Sequence, residues 1–397
     1  MPLQEKIKAL TKSSLNELVE IRRHLHMHPE LSFEEYKTAK FVADTLKKYG
    51  IIPQEGIAGT GVTALIAGKN PNSKVIALRA DMDALPITEA NDVPYKSVNP
   101  GVMHACGHDA HTTSLLGAAK ILQQLKEEFE GTVKLIFQPG EEKAPGGASL
   151  MIKEGVLQNP APAHVLGQHV MPMIPAGKVG FREGMYMASA DELYVTVKGK
   201  GGHAATPESN IDPVLIASHI IVALQQIVSR HANPKIPSVL SFGKVIANGA
   251  TNVIPDEVYI EGTFRTLNEE WRYAAHEKMK KMAESIAEGM EGHCDFNIMR
   301  GYPFLKNDPD LTSRARSYAV AYLGEENVID LDLWMAAEDF AFYTQEVGCC
   351  FYRLGTGNVA KGINSSVHTP TFDIDENALE IGAGLMSWLA IQELQRR

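Results

Sequence analysis

Residues 103–111, Met-His-Ala-Cys-Gly-His-Asp-Ala-His, put a thiol, three imidazoles and a carboxylate into one short stretch. In Cys106-Gly107-His108 two good metal ligands share one side of an extended or turning backbone, because residues i and i+2 share a face. Thiolate and imidazole suit borderline-soft divalent ions such as zinc, and nearby carboxylates widen the choice towards manganese or cobalt. A β-branched run, Thr132 to Phe137, leads into Gln138-Pro139-Gly140-Glu141-Glu142. Of two adjacent carboxylates at a strand end, one can sit on a metal while the other handles a proton. A lone Cys-x-His or a lone Glu-Glu pair is usually just a solvated surface feature. Together, and with histidines further on, they point to a two-metal hydrolase.

Four motifs in order carry a family resemblance: His-Ala-Cys-Gly-His-Asp-Ala-His at 104–111, Gln-Pro-Gly-Glu-Glu at 138–142, Gln168-His169-Val170, and Ser366-Val367-His368-Thr369-Pro370. They closely resemble the M20 amidohydrolases, in the branch of N-acyl-amino-acid amidohydrolases, hippurate hydrolases and auxin-conjugate hydrolases. The resemblance implies two divalent ions per subunit, Mn2+ or Zn2+ with Co2+ and Ni2+ as alternatives, held by Cys106, His108, Glu142, His169 and His368. Cys106 would then replace the bridging carboxylate usual in the wider clan. Thiolate and Glu142 offset part of the metal charge, and three neutral imidazoles leave positions open for water and substrate. The resemblance further implies Glu141 as general base towards a metal-bound hydroxide, returning the proton to the leaving amine. It implies that His203, in Gly199-Lys200-Gly201-Gly202-His203, stabilises the oxyanion, often from the partner subunit. Asn252 and Arg265 look like its contacts to the substrate carboxylate.

The reaction expected is hydrolysis of the amide bond of an N-acyl amino acid to a carboxylate and a free amino acid. An M20-type carboxypeptidase or dipeptidase is the alternative among enzymes. A catalytically silent metal-binding protein is the alternative of another class, and an intact Glu141 beside a complete ligand set argues against it.

Four further features bear on the site. Asp81 and Asp83 leave a buried strand where open α/β sheets place their sites. Relatives in the wider clan carry His-x-Asp here, so with Asp81 in the His position the ligand set must differ, and both aspartates are expected as acids that support the ligands. Gly355-Thr356-Gly357 reads as a tight loop, with Gly357 able to cradle a substrate carboxylate or serving only as a turn. His24, His26 and His28 close a helix, where imidazoles complement the dipole without any metal. His164 rivals His169 as a ligand, but Val170-Met171-Pro172 matches the family context of His169.

The elements that must position these residues alternate as strands and helices, which predicts a largely parallel sheet. Helices are expected at 3–27, 34–49, 114–126 and 148–154, with strands at 61–67, 74–79, 132–137 and 165–170. From about residue 185 the order becomes strand 190–198, helix 211–231, strands 238–246 and 257–265, helix 269–290 and strand 294–299. That β-α-β-β-α-β order predicts a ferredoxin-like insertion, which the resemblance makes a dimerisation and lid domain. The expected fold is therefore an α/β, mostly parallel-sheet metallohydrolase domain over 1–184 and 298–397, interrupted by an α+β domain over 185–297. Helix 309–323, the segment 333–340, strand 350–354 and helix 376–393 rebuild the first domain.

At 397 residues two domains are the natural expectation. A net charge of -10 with no basic stripe excludes a nucleic-acid surface. No run of 18 apolar residues suggests a membrane span, and the N-terminus lacks the apolar core of a signal peptide. Cys106, Cys294, Cys349 and Cys350 read as reduced thiols. The expected protein is cytoplasmic, a homodimer or higher homo-oligomer, with a small-molecule N-acyl amino acid as partner.

Overall fold

The computed structural model describes residues 1–396. The chain forms two compact units, one of Met1–Gly184, Lys306–Asp332 and the C-terminal stretch from Asp339, the other of Met185–Leu305 and Leu333–Glu338.

The first unit is built on an eight-stranded sheet in the order Pro53–Ile57, Gly61–Ala67, Thr132–Gln138, Val75–Asp81, His164–Pro175, Gly348–Gly357, Val179–Phe181, Val328–Asp330. Its centre is parallel: Val75–Asp81 lies between Thr132–Gln138 and His164–Pro175, and Gly348–Gly357 runs parallel to the latter. The strands at one edge are antiparallel. Val75–Asp81 and Thr132–Gln138 are buried at every position, as strands covered on both faces must be. Helices Leu3–Met27, His108–Gln124 and Ala378–Gln395 pack on one another, and the last two also on the central strands. Leu18, Leu25, Leu115, Leu122, Leu385 and Leu389 join the strand side chains in one core. Asp81 stands in register with Gln138, and Arg79 with Gly167, so Asp81, Gln138 and His169 emerge together at the carboxyl ends of the central strands.

The second unit has an antiparallel sheet in the order Ser238–Ile246, Glu257–Thr266, Asp191–Lys198, His293–Arg300. Helices Pro213–Leu224 and Glu269–Gly289 pack against it, completing the expected ferredoxin-like arrangement. Both helices start on side-chain caps: Asp212 accepts the N–H groups of Val214 and Leu215, and Asn268 accepts that of Trp271. Pro213–His231 is one described helical stretch long and apolar enough, by composition alone, to cross a membrane. Here Ile216, Ala217, Ile220, Leu224 and Ile227 from it form the core of the unit.

Three expectations need correction. The return to the first unit does not fall at 298. His293–Arg300 stays paired with Asp191–Lys198 to its last residue, Gly301 and Tyr302 exchange backbone hydrogen bonds with Ala190, and the unit continues to Leu305. The segment Leu333–Glu338 also belongs to the second unit, where Trp334 N–H donates to the Tyr186 carbonyl, rather than rebuilding the first sheet. The helix expected at 114–126 begins at His108, since its first turn is polar yet fully buried and so carries no apolar period.

Candidate metal centre

Gly107 governs how Cys106 and His108 are presented. It caps the helix His108–Gln124 in a left-handed conformation, φ 84°, and an added Cβ would fall 2.5 Å from Val170 Cγ2. The chain therefore turns sharply between thiol and imidazole, rather than passing them along one face of an extended segment. Cys106 Sγ comes to 3.4 Å from His169 Nε2.

Three imidazoles meet here, and their partners assign their tautomers. His108 Nδ1 lies 2.9 Å from the Asp83 carbonyl and 3.2 Å from Asp83 Oδ1, so it donates and turns Nε2 inward. His108 Nε2 is buried without a hydrogen-bond partner. His169 Nδ1 donates to the Val170 carbonyl at 2.7 Å, which leaves its Nε2 lone pair towards Cys106. His111 differs: its Nδ1 donates to Asp81 Oδ1 at 2.6 Å and its Nε2 accepts the Val170 N–H at 2.8 Å. Both of its nitrogens are consumed by structure.

The aspartates act behind the imidazoles. Asp83 Oδ2 accepts Ser32 Oγ–H at 2.6 Å and the Glu142 N–H at 2.9 Å, while Oδ1 faces His108. Asp81 is fixed by Arg79 at 2.6 Å as well as by His111. The same guanidinium reaches Gln138 at 2.9 Å and Asp339 at 2.8 Å, and Asp339 also accepts from Gln138 and the Ala148 N–H. This buried Arg79–Gln138–Asp339 network was not legible in the sequence, because its members lie far apart along the chain.

Ligand atoms of Cys106, His108 and His169 all lie within 4.8 Å of one another, and so do those of Cys106, Glu142 and His368. The two triads share Cys106. His368 stands on a half-exposed loop at φ 62°, its N–H donating to the Ala105 carbonyl and its Nε2 3.0 Å from Glu142 Oε1. Glu141 and Glu142 both approach His108 Nε2, at 3.9 and 4.0 Å. His164 lies at the start of its strand beside Glu393, away from this cluster. His26 is held in a buried network with Asp109 and Glu89.

The electrostatics favour a cation. Burial alone would lower the His108 pKa, but Asp81, Asp83 and Glu142 raise it to about 10. Acids that hold a proton on this ring can hold a divalent ion on Nε2 instead. Burial, with the nearby Glu142, Glu141 and Asp81 charges, pushes the Cys106 thiol well up, so a thiolate here calls for a metal's charge. Burial keeps His169 and His111 neutral, their pKa values lowered. An unpartnered imidazole nitrogen, a second lone pair on His169, a thiol and two carboxylates fit two borderline-soft divalent ions.

Of the remaining expected site residues, His203, Asn252 and Arg265 belong to the second unit and Gly357 to the first. In the second unit, His203 pairs with Val253 across the short ribbon Gly202–His203/Val253–Ile254, and Asn252 accepts the Ala204 N–H. That ribbon brings His203 and Asn252 side by side, both exposed. Arg265 ends a strand of the same unit and donates to the Met335 carbonyl at 3.1 Å. Gly357 is corrected: it is not in a loop but buried at the end of Gly348–Gly357, where an added Cβ would lie 2.1 Å from the Pro172 carbonyl oxygen. The glycines allow two stretches of backbone to approach closely there.

The family model of peptidase family M20/M25/M40 matches residues 77–392. An N-acetyl-L-cysteine deacetylase of Bacillus subtilis is 41% identical over 380 residues, 96% of this chain and 89% of that protein. A thermostable carboxypeptidase 2 of Saccharolobus solfataricus is 38% identical over 395 residues, 99% of both chains. A solved Bacillus subtilis structure, described as a dinuclear metal-binding peptidase from the M20 family, has a TM-score of 0.84 at 37% identity over 97% of this chain and 99% of its own.

Proposed function

The chain belongs to peptidase family M20/M25/M40 and is a metal-dependent amidohydrolase, and we propose that it hydrolyses N-acyl amino acids to a carboxylate and a free amino acid. The observation that carries this reading is the pair of donor triads sharing Cys106, with Glu141 beside them. The N-acetyl-L-cysteine deacetylase relative supports an acylated amino acid as substrate.

In this reading Cys106, His108, Glu142, His169 and His368 hold two divalent ions, manganese or zinc. When bound, such ions polarise the amide carbonyl and acidify water. Glu141 accepts the proton from the attacking water and delivers it to the amide nitrogen as the C–N bond breaks. Asp83 keeps His108 in its Nδ1–H tautomer and holds the Glu142 backbone. Asp81 steadies His111 and, through it, the Val170 backbone next to His169. His203 donates to the carbonyl oxygen as negative charge develops there, and Asn252 and Arg265 bind the substrate carboxylate.

A homodimer through the second unit is part of the proposal. Ser238–Ile246 is an edge strand there and leaves Val239, Val245 and Ile246 exposed, an edge suited to pairing. Cytoplasmic placement is supported by four free, buried cysteines, two of them vicinal.

The test uses metal-stripped protein, with and without added Mn2+ or Zn2+, on N-acetyl, N-benzoyl and indole-acetyl amino acids beside simple dipeptides. Metal-restored release of amino acid from the acylated set is expected, and the preferred acyl group defines the pocket. A second reading, carboxypeptidase, is favoured by the Saccharolobus relative, and cleavage of dipeptides alone would establish it instead.

A further inference from the structure

Phe33 has φ 68°, a left-handed conformation that a bulky side chain rarely takes. Such strain persists only where the surroundings over-determine it. Here the determinant is Glu35, fully buried at the start of helix Tyr36–Lys48. Its Oε1 accepts the N–H of Phe33 at 2.8 Å and that of Gly140 at 2.8 Å, and its Oε2 accepts Thr60 Oγ1–H at 2.6 Å. The Phe33 ring lies against Gly140, where an added Cβ would be 2.3 Å from Phe33 Cε1. Ser32 meanwhile donates to the Asp83 oxygen that also accepts the Glu142 N–H. One short turn thus grips the acidic segment twice, directly at Gly140 and through Asp83 at Glu142.

The Glu141 carboxylate accepts the Asp339 N–H at 3.4 Å, and the turn adds a hold on the backbone beside it. Gln138 is the last residue of its strand, so Glu141 and Glu142 lie beyond the ladder that fixes the sheet. A general base displaced by about 1 Å can lose about 100-fold in rate.

We propose that residues 32–35 form a clamp that sets where the Glu141 carboxylate stands relative to the metal ligands, with Glu35 as the positioning residue. The proposal rests on Glu141 being the general base. Glu35 touches neither metal ligands nor substrate; it acts through the Gly140 backbone.

The test compares wild type with Glu35→Ala, Glu35→Gln and Phe33→Ala by steady-state kinetics of the Mn2+-loaded protein and by hydrogen exchange of the metal-free protein. Glu35→Ala is expected to lower kcat about 30- to 100-fold with KM within about threefold. The peptide covering 139–146 should exchange faster while that covering 132–138 does not. Glu35→Gln keeps an oxygen acceptor for both N–H groups and should recover most of both properties. Phe33→Ala should give a smaller effect of the same kind, and serves alone should Glu35→Ala not fold. The clamp is overturned if kcat and exchange at 139–146 stay unchanged. It is also overturned if exchange rises throughout the unit and kcat falls only with the folded fraction, or if Glu35→Gln is as impaired as Glu35→Ala. A wild type that cleaves no acylated amino acid would sink the functional reading, and the exchange comparison would still decide the clamp.

Discussion

His108 and His111 stand one helical turn apart, yet only His108 offers a ring nitrogen to the centre, because Asp81 and the Val170 N–H occupy both nitrogens of His111. His108→Ala should therefore cut bound metal from two ions per subunit towards one, as read by elemental analysis. His111→Asn should leave the stoichiometry at two while lowering thermal stability. Equal metal loss in both variants would contradict the division of roles.

Asp83 serves His108 and Glu142 at once. Asp83→Ala is expected to weaken metal affinity about 10- to 100-fold, the usual cost of losing a partner that orients a ligand. Competition with a fluorescent chelator measures it, and unchanged affinity would remove Asp83 from the supporting set.

Glu141→Gln preserves shape and removes the proposed base. Two ions should remain bound while kcat drops about 100- to 10,000-fold. Near-normal turnover would require another proton acceptor.

His203→Ala should lower kcat with little change in metal content. Mixed with Glu141→Gln protein and allowed to exchange subunits, it should regain part of the activity if His203 serves the partner's site. No regain in a mixture shown to contain heterodimers would assign His203 to its own subunit.

A pH prediction concerns the second unit. Asp191 is buried against Arg272 at 2.9 Å and His276 at 2.7 Å. Burial raises its pKa, but these hydrogen bonds and charges outweigh burial and hold it below the ordinary carboxylate value. A depressed folded-state pKa contributes stability above the unfolded value of about 3.9, and that contribution is lost as pH falls through the lower folded value. Asp191→Asn should cost about 3–5 kcal/mol at pH 7, with the gap to wild type narrowing only below about pH 4. Urea unfolding at pH 7 and pH 3 reads this out, and an equal gap at both would refute it.

Legibility in the sequence followed the range of the physics. Cys106, His108, Glu142, His169 and His368 stand in motifs whose residue types announce ligand chemistry, and the fold brings them together. The helix start at His108 was hidden because periodicity reports apolar burial, whereas this turn buries polar groups against one another. Gly355 and Gly357 resemble a turn in composition, but the neighbour that excludes their Cβ atoms is a strand about 180 residues away, as the pairing of Gly357 with Pro175 shows. Arg79 and Asp339 meet across 260 residues, which no local pattern reports. The same holds for Glu35, an ordinary helix-start carboxylate until the fold sets it against Gly140.

His164–Pro175 lies in the sheet between Val75–Asp81 and Gly348–Gly357, and the His368 N–H donates to Ala105. The donors thus come from both sides of the inserted unit along the chain. During synthesis, a ribosome that has finished the second unit has yet to deliver the strand beside His164–Pro175 and the last imidazole. A chain that ended there would lack two of the eight strands of the first unit's sheet, Val328–Asp330 and Gly348–Gly357, together with His368, so the donor set is complete only once the final stretch has been made.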